Sequence, residues 1–271
     1  NPSQWTEPAM RVGFVQNNPV FGNVQKNLAR VEKLLEGQSA DLFVLPELFA
    51  TGYQFKNKKE VQGLAEQVPE GTTTNALTSV AKKNNTFIIA GLAEIDKNHV
   101  YNSAVITGPN GYIGKYRKIH LFDTEKACFD PGNLPLKVFD IAGAKVGVMI
   151  CFDWRFPETA RSLALLGADL IAHPSNLVLA HCPQAMITRC LENRVFAVTA
   201  DRVGKEDRIE GEALKFMGKS QVVDPDGNIL VRASETEEEV QIVEIDLEKA
   251  RDKFLTPHNH IFEDRREDLY C

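Results

Sequence analysis

The chain has 271 residues, of which 43% are hydrophobic and 25% are charged, a balance typical of globular proteins with a sizeable core. Its formal net charge of −6 argues against a dedicated nucleic-acid-binding protein, which would normally have a basic surface. No apolar run approaches the roughly 20 residues that span a bilayer. We therefore expect neither nucleic acid nor membrane as a partner.

The first residues, NPSQWTEPAM, lack the apolar segment of a secretory signal. Met10 is followed by the strand-like RVGFVQ and is interpreted as the native start, which makes residues 1–9 a candidate cloning remnant. The five cysteines follow no framework pattern, and Cys182 and Cys190 lack a second ligand pair at zinc-finger spacing. We expect reduced thiols in a cytoplasmic protein without a structural metal.

Short apolar runs, helical stretches and turn signals alternate along the chain. Asn23 can cap a helix whose apolar positions share one face, and GPNG at 108–111 predicts a hairpin turn. The predicted strands lie at 12–16, 41–47, 86–94, 100–107, 112–118, 138–151 (a hairpin turning at Gly143), 168–174, 195–201, 218–234 (a hairpin turning at Asp226-Gly227) and 239–247. The predicted helices lie at 24–35, 75–83, 157–166 and 183–193. This order predicts an α/β protein with mixed sheets covered by helices.

Three ionisable side chains stand where predicted strands end. Cys151 closes the apolar run VGVMIC, Glu47 follows LFVLP, and Lys118 ends YIGKYRK. Each alone has a simpler explanation: a small buried thiol, a solvated carboxylate, and one member of a basic run. The carboxyl ends of strands gather functional groups in α/β proteins. Together, a thiol, a carboxylate and an ammonium supply the groups that acyl transfer needs.

Other cysteine or nucleotide chemistries fit the sequence less well. A cysteine phosphatase needs an arginine six residues after its cysteine, and Pro157 stands there. A dinucleotide site needs G-x-G-x-x-G between a strand and a helix, whereas GAKVG precedes a strand. A cysteine–histidine hydrolase using His120 or His173 stays a minority alternative, because neither histidine lies in a local signature.

Several blocks resemble, in order and spacing, the signature blocks of the nitrilase superfamily of carbon–nitrogen hydrolases. The likeness spans roughly residues 10–246. The blocks are LPELFATGY (45–53), GKYRKIHLF (114–122), GVMICFDWRFPE (147–158), EKACFDPGN (125–133), and HPSN followed by RCLENRVF (within 173–196).

The resemblance implies a fold and an assembly. The expected fold is a four-layer α-β-β-α sandwich of two mixed sheets, formed by one domain over residues 10–253. Residues 254–271 would form a C-terminal tail that reaches across a homodimer or larger homo-oligomer. The apolar side chains of this tail are too few for a core of their own and need a surface to cover.

The resemblance also implies a catalytic Glu-Lys-Cys triad, here Glu47, Lys118 and Cys151, with no metal or organic cofactor. Lys118 and the backbone N–H of Phe152 are expected to face the oxyanion. The second family glutamate falls on Glu125, whose expected role is to support Lys118 or orient the substrate.

The predicted substrate-binding residues are Tyr53, Trp154 and Asn176. Tyr53 occupies the family's TGY position, which borders the pocket in relatives. Trp154 and Asn176 lie near predicted strand ends and are expected to shape the pocket.

The residues that follow the nucleophile bear on the substrate. Phe152 and Asp153 resemble the amidase-like branch of the superfamily rather than the Trp-Glu of true nitrilases. The predicted activity is hydrolysis of a small aliphatic amide to acid and ammonia through a cysteine thioester. Nitriles and N-carbamoyl amines stay open, as do ω-amides of dicarboxylates, which would need a cation such as Arg155 or Arg202. A non-catalytic binding scaffold of the same fold is the remoter alternative.

Overall fold

The computed structural model describes residues 9–270, so most of the candidate cloning remnant and Cys271 lie outside the described residues. The strands are β1 (Ala9–Gln16), β2 (Leu42–Val44), β3 (Phe87–Asp96), β4 (His99–Gly108), β5 (Gly111–Arg117), β6 (Val138–Ile141), β7 (Ala144–Val148), β8 (Leu170–Pro174), β9 (Phe196–Ala200), β10 (Lys205–Glu206), β11 (Leu214–Lys215), β12 (Gln221–Val223), β13 (Ile229–Arg232), β14 (Glu239–Asp246), β15 (Phe254–Thr256) and β16 (Asn259–His260). The α-helices are α1 (Val24–Leu35), α2 (Lys58–Leu64), α3 (Thr72–Asn84), α4 (Glu125–Cys128), α5 (Pro157–Leu165), α6 (Cys182–Asn193) and α7 (Glu248–Arg251). Two 3₁₀ helices cover Cys151–Arg155 and Glu267–Leu269.

The large strands form two six-stranded mixed sheets. The first has the order β14-β1-β2-β3-β4-β5, and the second has the order β13-β12-β9-β8-β7-β6. The central strands of each sheet are parallel, and the outer strands pair antiparallel. The predicted α/β class with mixed sheets is confirmed.

The sheets face each other and helices cover their outer faces. Phe14 of the first sheet and Val198 of the second belong to one buried apolar cluster. Val31 of α1 and Leu77 of α3 pack on the outer face of the first sheet, and α5 and α6 cover the second. The central strands β8 and β9 are buried along their whole length, as parallel strands between two layers must be. The result is the expected α-β-β-α sandwich.

Helix α1 illustrates how local sequence sets an element. The Asn23 side chain accepts a hydrogen bond from the Lys26 N–H at 3.3 Å and so caps the helix, as predicted. Val31 and Leu35 lie on the buried face. Burying a side chain of this size stabilises the fold by roughly 1.5–3 kcal/mol, so packing rather than intrinsic propensity holds the helix in place.

The structure differs from the sequence prediction where the second sheet meets the nucleophile. The predicted strand extends to Cys151, but β7 ends at Val148. The chain leaves the sheet because the Ile150 N–H donates to the Asp153 carboxylate at 2.9 Å instead of to a neighbouring strand. Helices α2 and α4, the two 3₁₀ helices and the short strand pairs β10–β11 and β15–β16 were not predicted from the sequence.

The C-terminal tail leaves several apolar side chains exposed. Phe254, Leu255, Leu269 and Tyr270 are each half or more exposed. None of the helices in residues 9–270 has the length and apolarity needed to cross a lipid bilayer.

Candidate active site

The topology brings three predicted strand-end side chains to one place. Strand β5 runs in the direction of β2, because β4 is antiparallel to both β3 and β5. Glu47 and Lys118 therefore emerge at the same edge of the first sheet, and Cys151 emerges after β7 of the facing sheet. All three are at most 6% exposed. Lys118 contacts Glu47 directly, and the charges of both act on the Cys151 thiol.

Lys118 sits between two buried carboxylates. Its Nζ atom donates at 2.8 Å to Glu47 Oε1 and at 2.8 Å to each oxygen of Glu125. Burial lowers the pKa of Lys118, but the charges of Glu125 and Glu47 outweigh burial and hold that pKa well above its usual value. The ammonium therefore stays charged at neutral pH and remains a fixed cation.

Glu47 has one anchored oxygen and one free oxygen. Asn102 Nδ2 donates to Glu47 Oε1 at 2.6 Å, and Asn176 Nδ2 donates to the Glu47 carbonyl at 2.8 Å. No described residue donates to Glu47 Oε2, which is buried. Burial raises the pKa of Glu47 to about 7, against the lowering effect of Lys118. A carboxyl with this pKa can both accept and release a proton near neutral pH.

Glu125 is fully engaged and is held in place from two sides. The Tyr53 hydroxyl donates to Glu125 Oε1 at 2.7 Å, and the Phe122 N–H donates to Oε2 at 3.1 Å. Burial raises the pKa of Tyr53 well above its usual value, so the hydroxyl keeps its proton. With Lys118 also bound, Glu125 has no free oxygen of the kind that Glu47 presents.

Cys151 occupies a strained turn. Its φ is 42°, in the left-handed region, and it begins the 3₁₀ helix Cys151–Arg155. Such a conformation costs a non-glycine residue on the order of 1–3 kcal/mol. Asp153 holds the turn, because its Oδ2 accepts from the Ile150 N–H at 2.9 Å and from the Tyr116 hydroxyl at 2.7 Å.

The Cys151 thiol is protonated at rest. Burial raises its pKa well above the usual value; the Glu47 charge raises it further, and Lys118 opposes both. The sulfur also lies 3.7 Å from the Asn176 carbonyl oxygen, and the Asn176 backbone, like Lys118, acts to lower the pKa. Because only the thiolate is a strong nucleophile, this cysteine needs a neighbouring base.

Two cavities adjoin these side chains. One, of about 20 Å³, is lined by Phe122, Cys151, Phe152, Trp154, Asn176, Leu177, Val178 and Leu179. The other, of about 260 Å³, is lined by Tyr53, Gln54, Phe55, Asp123, Thr124, Glu125, Cys128, Phe129, Glu212 and Leu214. Val178 of the small cavity and Leu214 of the large one pack against the same apolar cluster, which contains Tyr53. Trp154 and Asn176 thus line the small cavity together with Cys151, and Tyr53 lines the large cavity together with Glu125.

The two arginines suggested for carboxylate binding line neither cavity. Arg202 is buried and paired with Glu206, whose carboxylate also accepts hydrogen bonds from the N–H groups of Tyr53 and Gln54. Arg155 is exposed. Neither side chain supplies a free cation to the site.

The two histidines of the cysteine–histidine alternative bind other groups. His120 Nδ1 lies 2.8 Å from Asp153 Oδ1, and His173 Nε2 lies 2.9 Å from the Cys151 carbonyl oxygen. Neither ring is hydrogen-bonded to the Cys151 thiol in the described structure. Among residues 9–270, no group of three or more His, Cys, Asp or Glu side chains is arranged to hold a metal ion.

The structural roles of four residues that shape this site were not predicted from the sequence. Asn102 anchors Glu47, Asp153 and Tyr116 hold the nucleophile turn, and His173 binds the Cys151 carbonyl. Asn102 and His173 are polar residues in strands that are buried along most of their length. His173 also lies in the HPSN block, whereas for Asn102 a polar residue within a buried strand is the sequence signal that could have indicated its role.

Comparisons with known proteins agree with this geometry. Residues 11–253 match the family model described as carbon-nitrogen hydrolase. The chain is 53% identical over 264 residues to a Pyrococcus abyssi protein named nitrilase, covering 96% of this chain and 99% of that protein. It is 33% identical over 273 residues to the N-carbamoylputrescine amidase of Solanum lycopersicum, covering 92% of this chain and 89% of that protein. The solved carbon-nitrogen hydrolase of Helicobacter pylori G27 is similar with a TM-score of 0.86 at 28% identity, covering 97% of each chain.

Proposed function

Since the chain belongs to the carbon–nitrogen hydrolase family of the nitrilase superfamily and is a C–N hydrolase, we propose that it converts a small aliphatic amide to the carboxylic acid and ammonia through a thioester on Cys151. The observation that carries this proposal is the buried arrangement of Glu47, Lys118 and Cys151, in which Glu47 Oε2 is free to take a proton. The catalytic roles below follow from that arrangement.

In the first step, Glu47 acts as general base toward Cys151. The carboxylate takes the thiol proton, and the sulfur forms a bond to the carbonyl carbon of the substrate as the C=O π electrons move to oxygen. The oxyanion accepts hydrogen bonds from the Lys118 ammonium and the Phe152 N–H. Removing one such donor typically costs on the order of 10²–10³ in rate.

The second step releases ammonia, and the third releases the acid. Protonated Glu47 gives its proton to the departing nitrogen, the C–N bond breaks, and the thioester remains on Cys151. Glu47 then takes a proton from water, whose oxygen attacks the thioester carbon. The C–S bond breaks, the acid leaves, and Glu47 returns its proton to the sulfur. The residues Glu47, Lys118 and Cys151 suffice for every proton and bond in this cycle.

Nitrile hydrolysis is the second candidate. The Phe152-Asp153 pair favours amides, but the Pyrococcus abyssi relative at 53% identity is named nitrilase. A nitrile would acylate the same sulfur as a thioimidate, which must add water and expel ammonia before reaching the acid. Both substrates therefore use Cys151, and only relative rates separate them.

The charge of the larger cavity indicates which charged groups a substrate can carry in addition to its amide. It presents the carboxylates of Asp123, Glu125 and Glu212, and none of the described side chains that line it is basic. This lining disfavours ω-amides of dicarboxylates, whose second carboxylate would meet like charges. It favours neutral amides and, as a third candidate, N-carbamoyl amines. The Solanum lycopersicum relative is named for such a substrate.

Ammonia release across matched substrates tests the assignment. The panel contains a short aliphatic amide, its matching nitrile, an ω-amide of a dicarboxylate and an N-carbamoyl amine, each with the wild-type chain and Cys151→Ala. We expect the highest kcat/KM for the amide and none for the cysteine variant. A nitrile preferred by about tenfold, or about 1.4 kcal/mol in activation free energy, would overturn the amidase assignment. Release of ammonia from no member of the panel would favour a binding scaffold.

A further inference from the structure

His173 is a buried side chain that the mechanism above does not use. It lies near the end of β8 and is shielded from solvent. Its Nε2 atom lies 2.9 Å from the Cys151 carbonyl oxygen, and its Nδ1 atom lies 3.1 Å from the Thr199 hydroxyl on β9. Ser175 Oγ lies 3.2 Å from the same Nε2 and donates to the His173 carbonyl. The ring thus links the second sheet to the nucleophile's own backbone.

The partners of the ring determine where its proton sits. A carbonyl oxygen can only accept, so Nε2 must carry the hydrogen and donate it to Cys151. Burial lowers the pKa of His173 to about 4, so the ring is neutral and Nδ1 has no hydrogen. Nδ1 therefore accepts from the Thr199 hydroxyl. The hydrogen bonds run in one direction, from Thr199 through His173 to the Cys151 carbonyl.

The Cys151 carbonyl shares a peptide unit with the proposed oxyanion donor. The peptide between Cys151 and Phe152 is planar and trans, so its C=O and N–H point in opposite directions. Holding the carbonyl toward His173 directs the Phe152 N–H to the other side of the turn. Cys151 and Phe152 both line the small cavity, which adjoins the Cys151 sulfur. A rotation of this peptide would turn the N–H away.

The backbone of Cys151 is strained and is held on both sides. Cys151 has a φ of 42°, which is unfavourable for a residue with a side chain. Asp153 holds the turn on one side through the Ile150 N–H at 2.9 Å. On the other side of Cys151, its carbonyl is held by His173.

We propose that His173 is a positioning residue that fixes the Cys151–Phe152 peptide so that the Phe152 N–H stays directed at the oxyanion. This inference rests on the proposed function, because it assumes acyl transfer at Cys151. His173 itself transfers no proton and does not touch the substrate. His173 therefore lowers the free energy of the transition state, where negative charge develops on the oxyanion. It has little effect on the ground state, in which that charge is absent.

The test compares His173→Phe, which keeps a ring but loses the donor, with His173→Gln, whose amide can still donate. We expect His173→Phe to lower kcat for the amide by about 10²-fold, the usual cost of one oxyanion donor, with KM changed by less than about threefold. His173→Gln should recover about a tenth or more of the wild-type kcat.

Alkylation of Cys151 by iodoacetamide, followed by intact mass, gives a second readout. The sulfur displaces iodide without forming an oxyanion, so its rate in His173→Phe should stay within about threefold of wild type. If His173 had a merely structural role, His173→Phe would lower the alkylation rate and kcat together. Full kcat in His173→Phe would overturn the proposal, as would parallel loss of kcat and alkylation.

Thr199→Val keeps the test decisive if His173→Phe does not fold. This change removes only the hydrogen bond between the Thr199 hydroxyl and His173 Nδ1, which helps to fix the position of the ring's proton. We expect kcat to fall by about threefold or more while the alkylation rate stays unchanged. Unchanged kcat in Thr199→Val would then count against the proposal. Turnover by Cys151→Ala would instead overturn the proposed function, whereas an inactive Cys151→Ala beside a fully active His173→Phe would overturn this inference alone.

Discussion

Lys118 Nζ lies 2.8 Å from Glu47 Oε1, and both side chains are completely buried. The same ammonium binds both oxygens of Glu125, so one cation is shared between two carboxylates. This sharing leaves Lys118 fixed and charged while Glu47 keeps an oxygen that no described residue occupies. In the proposed mechanism, Lys118 therefore stabilises the negative charge of the oxyanion, and Glu47 transfers protons.

The pH dependence of kcat/KM should report Glu47. Burial raises its pKa from 4.5 to about 7, and the proposed base must be ionised in the free enzyme. Activity should therefore fall as the pH drops through about 7. An initial-rate profile with a short aliphatic amide between pH 5 and 9 checks this. An acid limb centred near the ordinary glutamate value would contradict the role given to burial.

Lys118→Met should lower both activity and stability. It leaves Glu47 and Glu125 buried without their cation, and removing one partner of a buried ion pair costs about 3–5 kcal/mol of unfolding free energy. The loss should be smaller at pH 5 than at pH 8, because protonation of Glu47, whose pKa burial raises to about 7, removes one of the unpaired charges. Urea unfolding at both pH values measures the effect. Glu47→Gln is the matched control, since it keeps the Lys118–Glu125 pair and should destabilise less.

Tyr53→Phe tests the support of Glu125. The change removes a hydroxyl that donates to a buried carboxylate at 2.7 Å. A hydrogen bond to a charged group contributes about 1.5–3 kcal/mol, so the free energy of unfolding should fall by that amount. Tyr112→Phe is the control, because Tyr112 is partly exposed on β5. Equal stability of the two variants would show that Tyr53 does not hold Glu125.

The C-terminal tail is expected to contribute to a homodimer. Phe254, Leu255, Leu269 and Tyr270 are half or more exposed in the single chain. Large apolar side chains that are exposed in this way favour burial against a partner surface. Deleting residues 254–271 should weaken the dimer, as measured by sedimentation at low micromolar concentration. A dimer unchanged by the deletion would rule out this role for the tail.

Much of the fold could be predicted because apolar periodicity records which face of an element is buried. Helix α1 and the hairpin at 108–111 follow directly from a cap and a turn sequence. The turn at Cys151 could not be predicted. β7 ends at Val148, and the Ile150 N–H then donates to the Asp153 side chain instead of to a neighbouring strand. That bond depends on a side-chain orientation that no local pattern records.

The proposed triad could be located from the sequence because each member follows a strand and the family blocks give the order. The roles of Asn102 and His173 could not. Each lies within a strand, and each acts through a residue at least 22 positions away in sequence. Such contacts depend on how neighbouring strands align, so they appear only once the two sheets are assembled.

Turnover of a short aliphatic amide by Cys151→Ala tests the covalent mechanism most directly. The substitution is small and lies at the edge of the sheet, so the fold should persist, which an unchanged circular dichroism spectrum would verify. We predict that kcat falls by about 10³-fold or more, as expected when a nucleophile is lost. A folded variant that keeps more than about a tenth of the wild-type kcat would contradict a thioester on Cys151.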